Sequence, residues 1–205
     1  MSECRRHLDL TKPLDENLTI YAKGDYADPP FECRDWASIA RHGFRVSRLV
    51  LGTQTGTHMD APAHFLDGGG TLDALPLDRM MGRYVLLDLP AKASPEELDN
   101  LLMTYRDQTI LFLRTPQEGV AFLSRPAMER LLALPPAVWV LAGEIEVSES
   151  EPLEFHRLLA RAGKYLVEDL DPQTAHEVEP GGEIFLLPLR LTSTSGAPCR
   201  AVVRY

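Results

Sequence analysis

Between residues 83 and 168 strand and helix signals alternate, and the helix starts are marked clearly enough to exclude most architectures. Residues 83–89 are β-rich, with Tyr84, Val85, Leu86 and Leu87 in a row. Ser94-Pro95-Glu96-Glu97 then supplies a helix N-cap, a proline at the first helical position and a glutamate at the third. Proline has no N–H to waste there and the glutamate can bond back to the cap, so the spacing predicts a helix to about Tyr105. Residues 109–114 read as a buried strand, and Ser124-Arg125-Pro126-Ala127-Met128-Glu129 opens a second helix that Pro135-Pro136 ends. Residues 138–145 read as a strand, 152–162 as a helix stopped by Gly163, and 164–168 as a strand again. Two more strands follow Gly181-Gly182. This βαβα centre between β-rich ends predicts an α/β fold with a mixed sheet rather than a doubly wound parallel one.

Repeats, low-complexity tracts and long linkers are absent, so residues 1–205 are expected to form a single domain. With 44% apolar and 25% charged residues, the chain can bury a full core. It has no run near the ~20 apolar residues that cross a bilayer. Met1-Ser2-Glu3-Cys4-Arg5-Arg6 is not followed by a signal-type apolar region, and a cytoplasmic protein is expected. The net charge of -9, with basic residues scattered, argues against a nucleic-acid partner. Cys4, Cys33 and Cys199 have no metal-type spacing and read as reduced bystanders.

The densest chemistry lies in Gln54-Thr55-Gly56-Thr57-His58-Met59-Asp60-Ala61-Pro62-Ala63-His64-Phe65. Residues 44–51 alternate in strand fashion. If that strand continues through His58, then His58 and Asp60 share a face, roughly 7 Å apart at about 3.3 Å per residue. Side chains so placed can converge on one cation. Gly56 permits positive φ or close approach, and Pro62 turns the chain so that His64 approaches from another side. The segment is a metal site or an acid/base site; the bland alternative is a turn satisfying its own backbone.

Gly56-Thr57-His58-x-Asp60-x-Pro62-x-His64-Phe65 resembles the signature of the cyclase, or kynurenine formamidase, family of metal-dependent hydrolases, which includes isatin hydrolases. The family pattern opens with a further histidine at the position held here by Gln54. The twelve-residue spacing from His156 to Glu168 is similar to the family's second ligand pair, with the His on a helix and the Glu at the end of the next strand. The runs 186–191 and 196–203 resemble its C-terminal strands, so the likeness spans Asp9-Leu10-Thr11 to Val203. On local evidence alone, His156 reads as an ordinary half-buried imidazole and Glu168 as a strand end; the resemblance makes them ligands.

The resemblance implies a swivelling β/β/α architecture assembled as a homo-oligomer, dimer or tetramer, and a divalent metal, zinc or manganese, with one or two ions per subunit. His58, Asp60, His156 and Glu168 are the expected ligands, with Gln54 as a further candidate. A bound cation generates a nucleophile from water and polarises a carbonyl. His64, outside the ligand set, is the expected catalytic base, a role that imidazole suits near neutral pH. The expected activity is hydrolysis of a small-molecule amide, foremost an arylformamidase acting on N-formylkynurenine in tryptophan catabolism. The alternatives are a hydrolase of another amide, a cyclic imide or a lactone, as in isatin hydrolase, and a binding protein that keeps metal without turnover. Gln54 weakens the case for a second zinc, because a carboxamide oxygen is a poorer donor than imidazole. Tyr21-Ala22-Lys23-Gly24-Asp25 aligns with a family segment reading aromatic-Pro-Gly-Asp; Ala22 leaves Tyr21, Tyr26 or Trp36 to shelve an aryl group. His7, His42 and His176 read as surface histidines, and Gly68-Gly69-Gly70 as a flexible loop without the lysine of a phosphate cradle.

Overall fold

The computed structural model describes residues 6–205. The chain starts with β1 (His7–Asp9), a short hairpin of β2 (Ala22–Lys23) and β3 (Tyr26–Ala27), and a longer one of β4 (Glu32–Ala37) and β5 (Val46–Val50) enclosing the single-turn α1 (Ile39–His42). Then come β6 (His58–Asp60), three 3-10 turns, β7 (Met81–Asp88), β8 (Lys92–Ala93), α2 (Pro95–Leu102), β9 (Ile110–Arg114) and β10 (Val120–Leu123). The remainder comprises α3 (Arg125–Leu132), β11 (Val138–Ala142), β12 (Glu144–Val147), α4 (Glu154–Arg161), β13 (Tyr165–Glu168), α5 (Pro172–His176), β14 (Glu183–Pro188) and β15 (Gly196–Arg204).

The mixed sheet closes on itself. Its order runs β15-β14-β7-β9-β11-β13-β6 and returns from β6 to β15. β7, β9, β11 and β13 are mutually parallel, whereas β6, β14 and β15 run antiparallel to their neighbours. The length of β15 makes closure possible: residues 196–198 pair with β6, and 199–204 pair with β14. β1 extends the ring beside 202–204.

Alternation along the strands divides two cores. Met59, Tyr84, Ile110, Val138, Tyr165, Ile184 and Ala197, one from each strand of the ring, share a cluster, which is therefore the barrel interior. Leu111, Leu113, Trp139, Leu141 and Leu166 point the other way and pack with Leu98, Met128, Leu131, Phe155 and Leu159 of α2, α3 and α4. Each such large side chain contributes roughly 1.5–3 kcal/mol by leaving water, so the helical layer is fixed on the outer face of the parallel strands. The expected caps are present: Ser94 and Glu97 form a reciprocal capping box, and Ser124 accepts from the Ala127 amide.

Three sequence expectations need correction. Residues 138–145 are two strands rather than one, because Gly143 (φ +108) turns the chain out of the ring. A Cβ there would lie 1.9 Å from Thr115 Oγ1, and β12 continues in a separate parallel sheet with β10 and β8. The strand at 44–51 does not run on to His58 either. β5 pairs with β4 in a hairpin of its own, with all five of its residues exposed, and a turn at 52–57 precedes β6. Finally, the Gly68-Gly69-Gly70 loop is not slack throughout: Gly68 stands in open space, but the bend is packed at Gly69 and Gly70. A Cβ at Gly69 would meet the Ala63 nitrogen and the Pro62 carbonyl carbon, both at 2.8 Å, and the Gly70 carbonyl accepts from the Ala63 amide at 3.0 Å. Cys33 is exposed and Cys199 buried, neither in a disulfide; burial pushes the Cys199 thiol up to about 12. Cys4 lies outside the described residues.

Candidate metal centre

β6 is the ring's shortest strand, and its two faces have opposite characters. Met59 enters the barrel core, so His58 and Asp60 face outward by the two-residue period. β13 runs alongside, with His58 opposite Glu168 and Asp60 opposite Leu166. Val167 points inward, which turns Glu168 to the same outer face as His58. α4 covers that face with Phe155 and Leu159 buried and brings His156 Nε2 to 3.1 Å from Glu168 Oε2. Glu154 fixes the helix start through Arg125 (3.2 Å), Arg157 (3.1 Å) and Arg161 (3.3 Å). Side chains from three separate elements, β6, β13 and α4, thus come together between the barrel wall and one helix.

His58 Nε2 lies 3.5 Å from Asp60 Oδ1 and 3.6 Å from Glu168 Oε1. Donor atoms of His58, Asp60 and Glu168 all fall within 4.8 Å of one another. The other ring nitrogen, Nδ1, is 2.7 Å from the Gly56 carbonyl, which as an acceptor places the proton on Nδ1 and leaves Nε2 facing the carboxylates. Gly56 can offer that carbonyl because it sits at φ +62, and a Cβ there would lie 2.6 Å from Leu14 Cδ2. Thr57 ties the two ligand strands together, accepting from the Lys12 amide at 2.9 Å and donating to the Asp169 carbonyl at 2.8 Å. Asp169 itself has φ +56 and is paired with the Lys12 ammonium.

His64 ends the 3-10 turn Pro62–His64 and is exposed at the rim. Its ring meets Phe65 edge-on at 4.4 Å, and Phe65 lies 5.2 Å from the His156 ring. It stands near enough to Asp60 and Glu168 to act on both electrostatically. Gln54 donates from Nε2 to Asp60 Oδ1 at 3.2 Å, while its Oε1 accepts from the Thr53 hydroxyl at 2.5 Å.

The electrostatics are those of buried acids facing buried bases. Burial pushes the Asp60 carboxyl up, further than the His58 charge and the Gln54 bond pull it down. Burial acts likewise on Glu168, but the hydrogen bond and charge of His156, together with His58, hold it below the carboxylate range. Burial favours neutral His58 and His156, yet the facing carboxylates win and raise both. Carboxylates and imidazoles thus face one another across the space that a cation would take. The nitrogen and oxygen donors suit a divalent ion such as zinc or manganese. His156 Nδ1 is buried without a partner among the described residues, so none of them holds this ring as a structural donor through that nitrogen. The donor set fits a metal.

The sequence profile described as "Putative cyclase" matches residues 8–138, well over half the chain. The chain belongs to the cyclase family. Kynurenine formamidase from Geobacillus thermodenitrificans (strain NG80-2) is 26% identical to this cyclase-family chain over 208 residues, covering 96% of each. That from Paracidovorax citrulli (strain AAC00-1) is 27% identical over 220 residues, covering 100% of this chain and 99% of the relative. Isatin hydrolase A from Labrenzia aggregata, solved with benzyl benzoate, has a TM-score of 0.79 at 17% identity, covering 98% of this chain and 93% of the other. A structure described as a potential metal-dependent hydrolase with cyclase activity has a TM-score of 0.72 at 22% identity and covers 98% of both chains. The expected α/β cyclase-like fold is thereby established.

His58, Asp60 and Glu168 meet in one cluster, His156 joins it through Glu168, His64 stands at its rim, and Gln54 reaches Asp60. Sequence reasoning missed Thr53, the Thr57 latch and Gly196. A Cβ at Gly196 would lie 2.6 Å from Gln54 Nε2, 2.8 Å from the Met59 carbonyl oxygen and 3.3 Å from Asp60 Oδ1. The turn residues Ser193 (φ +57), Thr194 and Ser195 before that glycine were the available signal.

Proposed function

We propose that this protein is a metal-dependent hydrolase of carbon–nitrogen bonds whose substrate is an aryl formamide, foremost N-formylkynurenine. The observation that carries the reading is the convergence of His58, Asp60 and Glu168, with His156 on Glu168, beneath an exposed imidazole. The full-length likeness to kynurenine formamidases supports the choice of substrate. A divalent cation, zinc or manganese, would be held by His58, Asp60, Glu168 and His156, lowering the pKa of water and polarising the substrate carbonyl. The residues supply the rest. His58 is oriented by Gly56, and Asp60 and Glu168 supply negative charge on the same outer face. His64 takes a proton from water as the oxygen adds to the formyl carbon. It returns that proton to the aryl nitrogen as the carbon–nitrogen bond breaks, giving the free amine and formic acid, which ionises to formate by losing a proton to solvent.

A cyclic amide such as isatin is the second substrate reading. Two features favour it: Gln54 in place of a ligand histidine, and Ala22 and Lys23 exposed on β2 where an aromatic shelf was expected. A metal-retaining binding protein is disfavoured, since a binder has no use for His64. The β4–β5 arm exposes Trp36 (70%), Ile39 (63%) and Phe44 (58%), which supports a homodimer in which the arm is covered by a second copy. A cytoplasmic location is part of the same reading; among the described residues no helix is long and apolar enough to cross a membrane. The test is turnover of N-formylkynurenine beside isatin by metal-loaded protein. Preference for the formamide is expected; hydrolysis of isatin alone would move the assignment to cyclic amides, and turnover of neither would refute both.

A further inference from the structure

Building on that metal reading, we propose that Gln54 is a fixed hydrogen-bond donor to Asp60 rather than a ligand, and that the site holds one divalent ion per chain, not two.

The two ends of the Gln54 carboxamide are distinguished by their neighbours. A carboxylate can only accept, so the end facing Asp60 Oδ1 at 3.2 Å is the NH₂ group. The opposite end, Oε1, then accepts the Thr53 hydroxyl proton at 2.5 Å. Turning the amide over would set its oxygen against a carboxylate oxygen, a repulsion that the Thr53 hydroxyl, which donates or accepts equally well, would do nothing to relieve. The surroundings are shaped for this arrangement. Thr55 Oγ1 accepts from the Gly52 amide at 2.8 Å and closes the turn that carries Thr53 and Gln54. Gly196 leaves open the space that the amide nitrogen fills, since a Cβ there would stand 2.6 Å from it.

Charge points the same way. Asp60 and Glu168 together offset one divalent cation. The next carboxylate in the chain, Asp169, is already matched by the Lys12 ammonium. A second ion beside the first would need either another anionic ligand or the Gln54 oxygen, and that oxygen is turned toward Thr53, at the opposite end of the amide from Asp60. Its charge would be uncompensated in a buried site, which is strongly unfavourable. The Gln54 amide therefore stands where a second cation would otherwise meet Asp60.

The test counts ions on the full-length protein. Wild type and Gln54→His are stripped with chelator, saturated separately with Zn²⁺ and Mn²⁺ and desalted. Bound metal is measured by elemental analysis, and the manganese forms are examined by electron paramagnetic resonance. Wild type should bind one equivalent and give an isolated-ion manganese spectrum; Gln54→His should approach two and give a spin-coupled pair. Two equivalents with a coupled spectrum in wild type would overturn the inference while leaving the metal reading intact. One equivalent in both proteins would show that Gln54 does not set the number and would also overturn it. No saturable binding to wild type would remove the metal reading, and this inference with it. The wild-type spectrum decides the count even if the variant fails to fold.

Discussion

Adding one methyl group at Gly196 perturbs ring closure and the metal centre together, and the structure gives the size of each effect. The new Cβ would lie 2.8 Å from the Met59 carbonyl oxygen, a backbone atom of β6 that cannot swing away, and 2.6 Å from Gln54 Nε2, a side-chain tip that can. The first contact forces β15 and β6 apart where Ala197 pairs with Met59; the second displaces the Asp60 hydrogen bond. Overpacking of this kind costs about 1–3 kcal/mol. At about 2–4 °C per kcal/mol for a chain of this size, Gly196→Ala should lower Tm by roughly 2–12 °C. Ion affinity should fall as well, because Asp60 and His58 lie on the displaced strand. Truncating the amide in the double variant Gly196→Ala with Gln54→Ala relieves only the side-chain contact, so part of the Tm loss should persist. Calorimetric unfolding of the ion-free proteins and titration with Zn²⁺ measure the two effects. A Gly196→Ala protein with wild-type Tm and wild-type ion affinity would refute the packing argument.

Three further predictions concern the site. His64→Ala should bind metal like wild type but lose about 10²–10⁴-fold in kcat, the usual range for a positioned proton-transfer group; steady-state kinetics with a metal assay separates the two. Thr57→Val removes a buried hydroxyl that both accepts and donates, and should cost about 1–3 kcal/mol in denaturant unfolding, with Thr57→Ser recovering most of it; no loss would remove the latch from the account. In the ion-free protein His58 and His156 are raised above their ordinary 6.5, so their charged forms contribute stability that is fully present below 6.5 and lost as pH rises through the raised values. Ion binding needs the neutral rings, so apparent affinity should fall on acidification, starting above pH 6.5, by about tenfold per pH unit for each proton displaced. A pH-independent affinity measured by calorimetry between pH 6 and 8 would contradict this.

The sequence made legible what depends on neighbouring residues. The Ser94-Pro95-Glu96-Glu97 cap states its own hydrogen bonds, and His58 and Asp60 share a face because two residues make one strand period. It also marked His156 and Glu168, through their spacing within a family pattern rather than any local signal. Elements decided by distant partners were hidden. Ring closure depends on β15 being long enough to pair with β6 at one end and β14 at the other, which no local window reveals. The break at Gly143 is set by Thr115, a residue 28 positions earlier. The exposed alternation at 44–51 looked like a strand feeding the site, because period alone does not tell a sheet edge from a free-standing hairpin. Gln54 was visible as a departure from the family pattern, but which end of its amide faces Asp60 follows only from Thr53 and Gly196 in three dimensions.

The most direct measurement is the initial rate of N-formylkynurenine hydrolysis by wild type and Glu168→Gln, each stripped with chelator and then reloaded with Zn²⁺ or Mn²⁺. Stripped wild type should be inert and recover in proportion to bound ion, whereas Glu168→Gln, which keeps the shape but loses one of two ligand charges, should bind weakly and recover little. Full activity in stripped wild type would contradict a cation held between β6, β13 and α4 as the source of the chemistry.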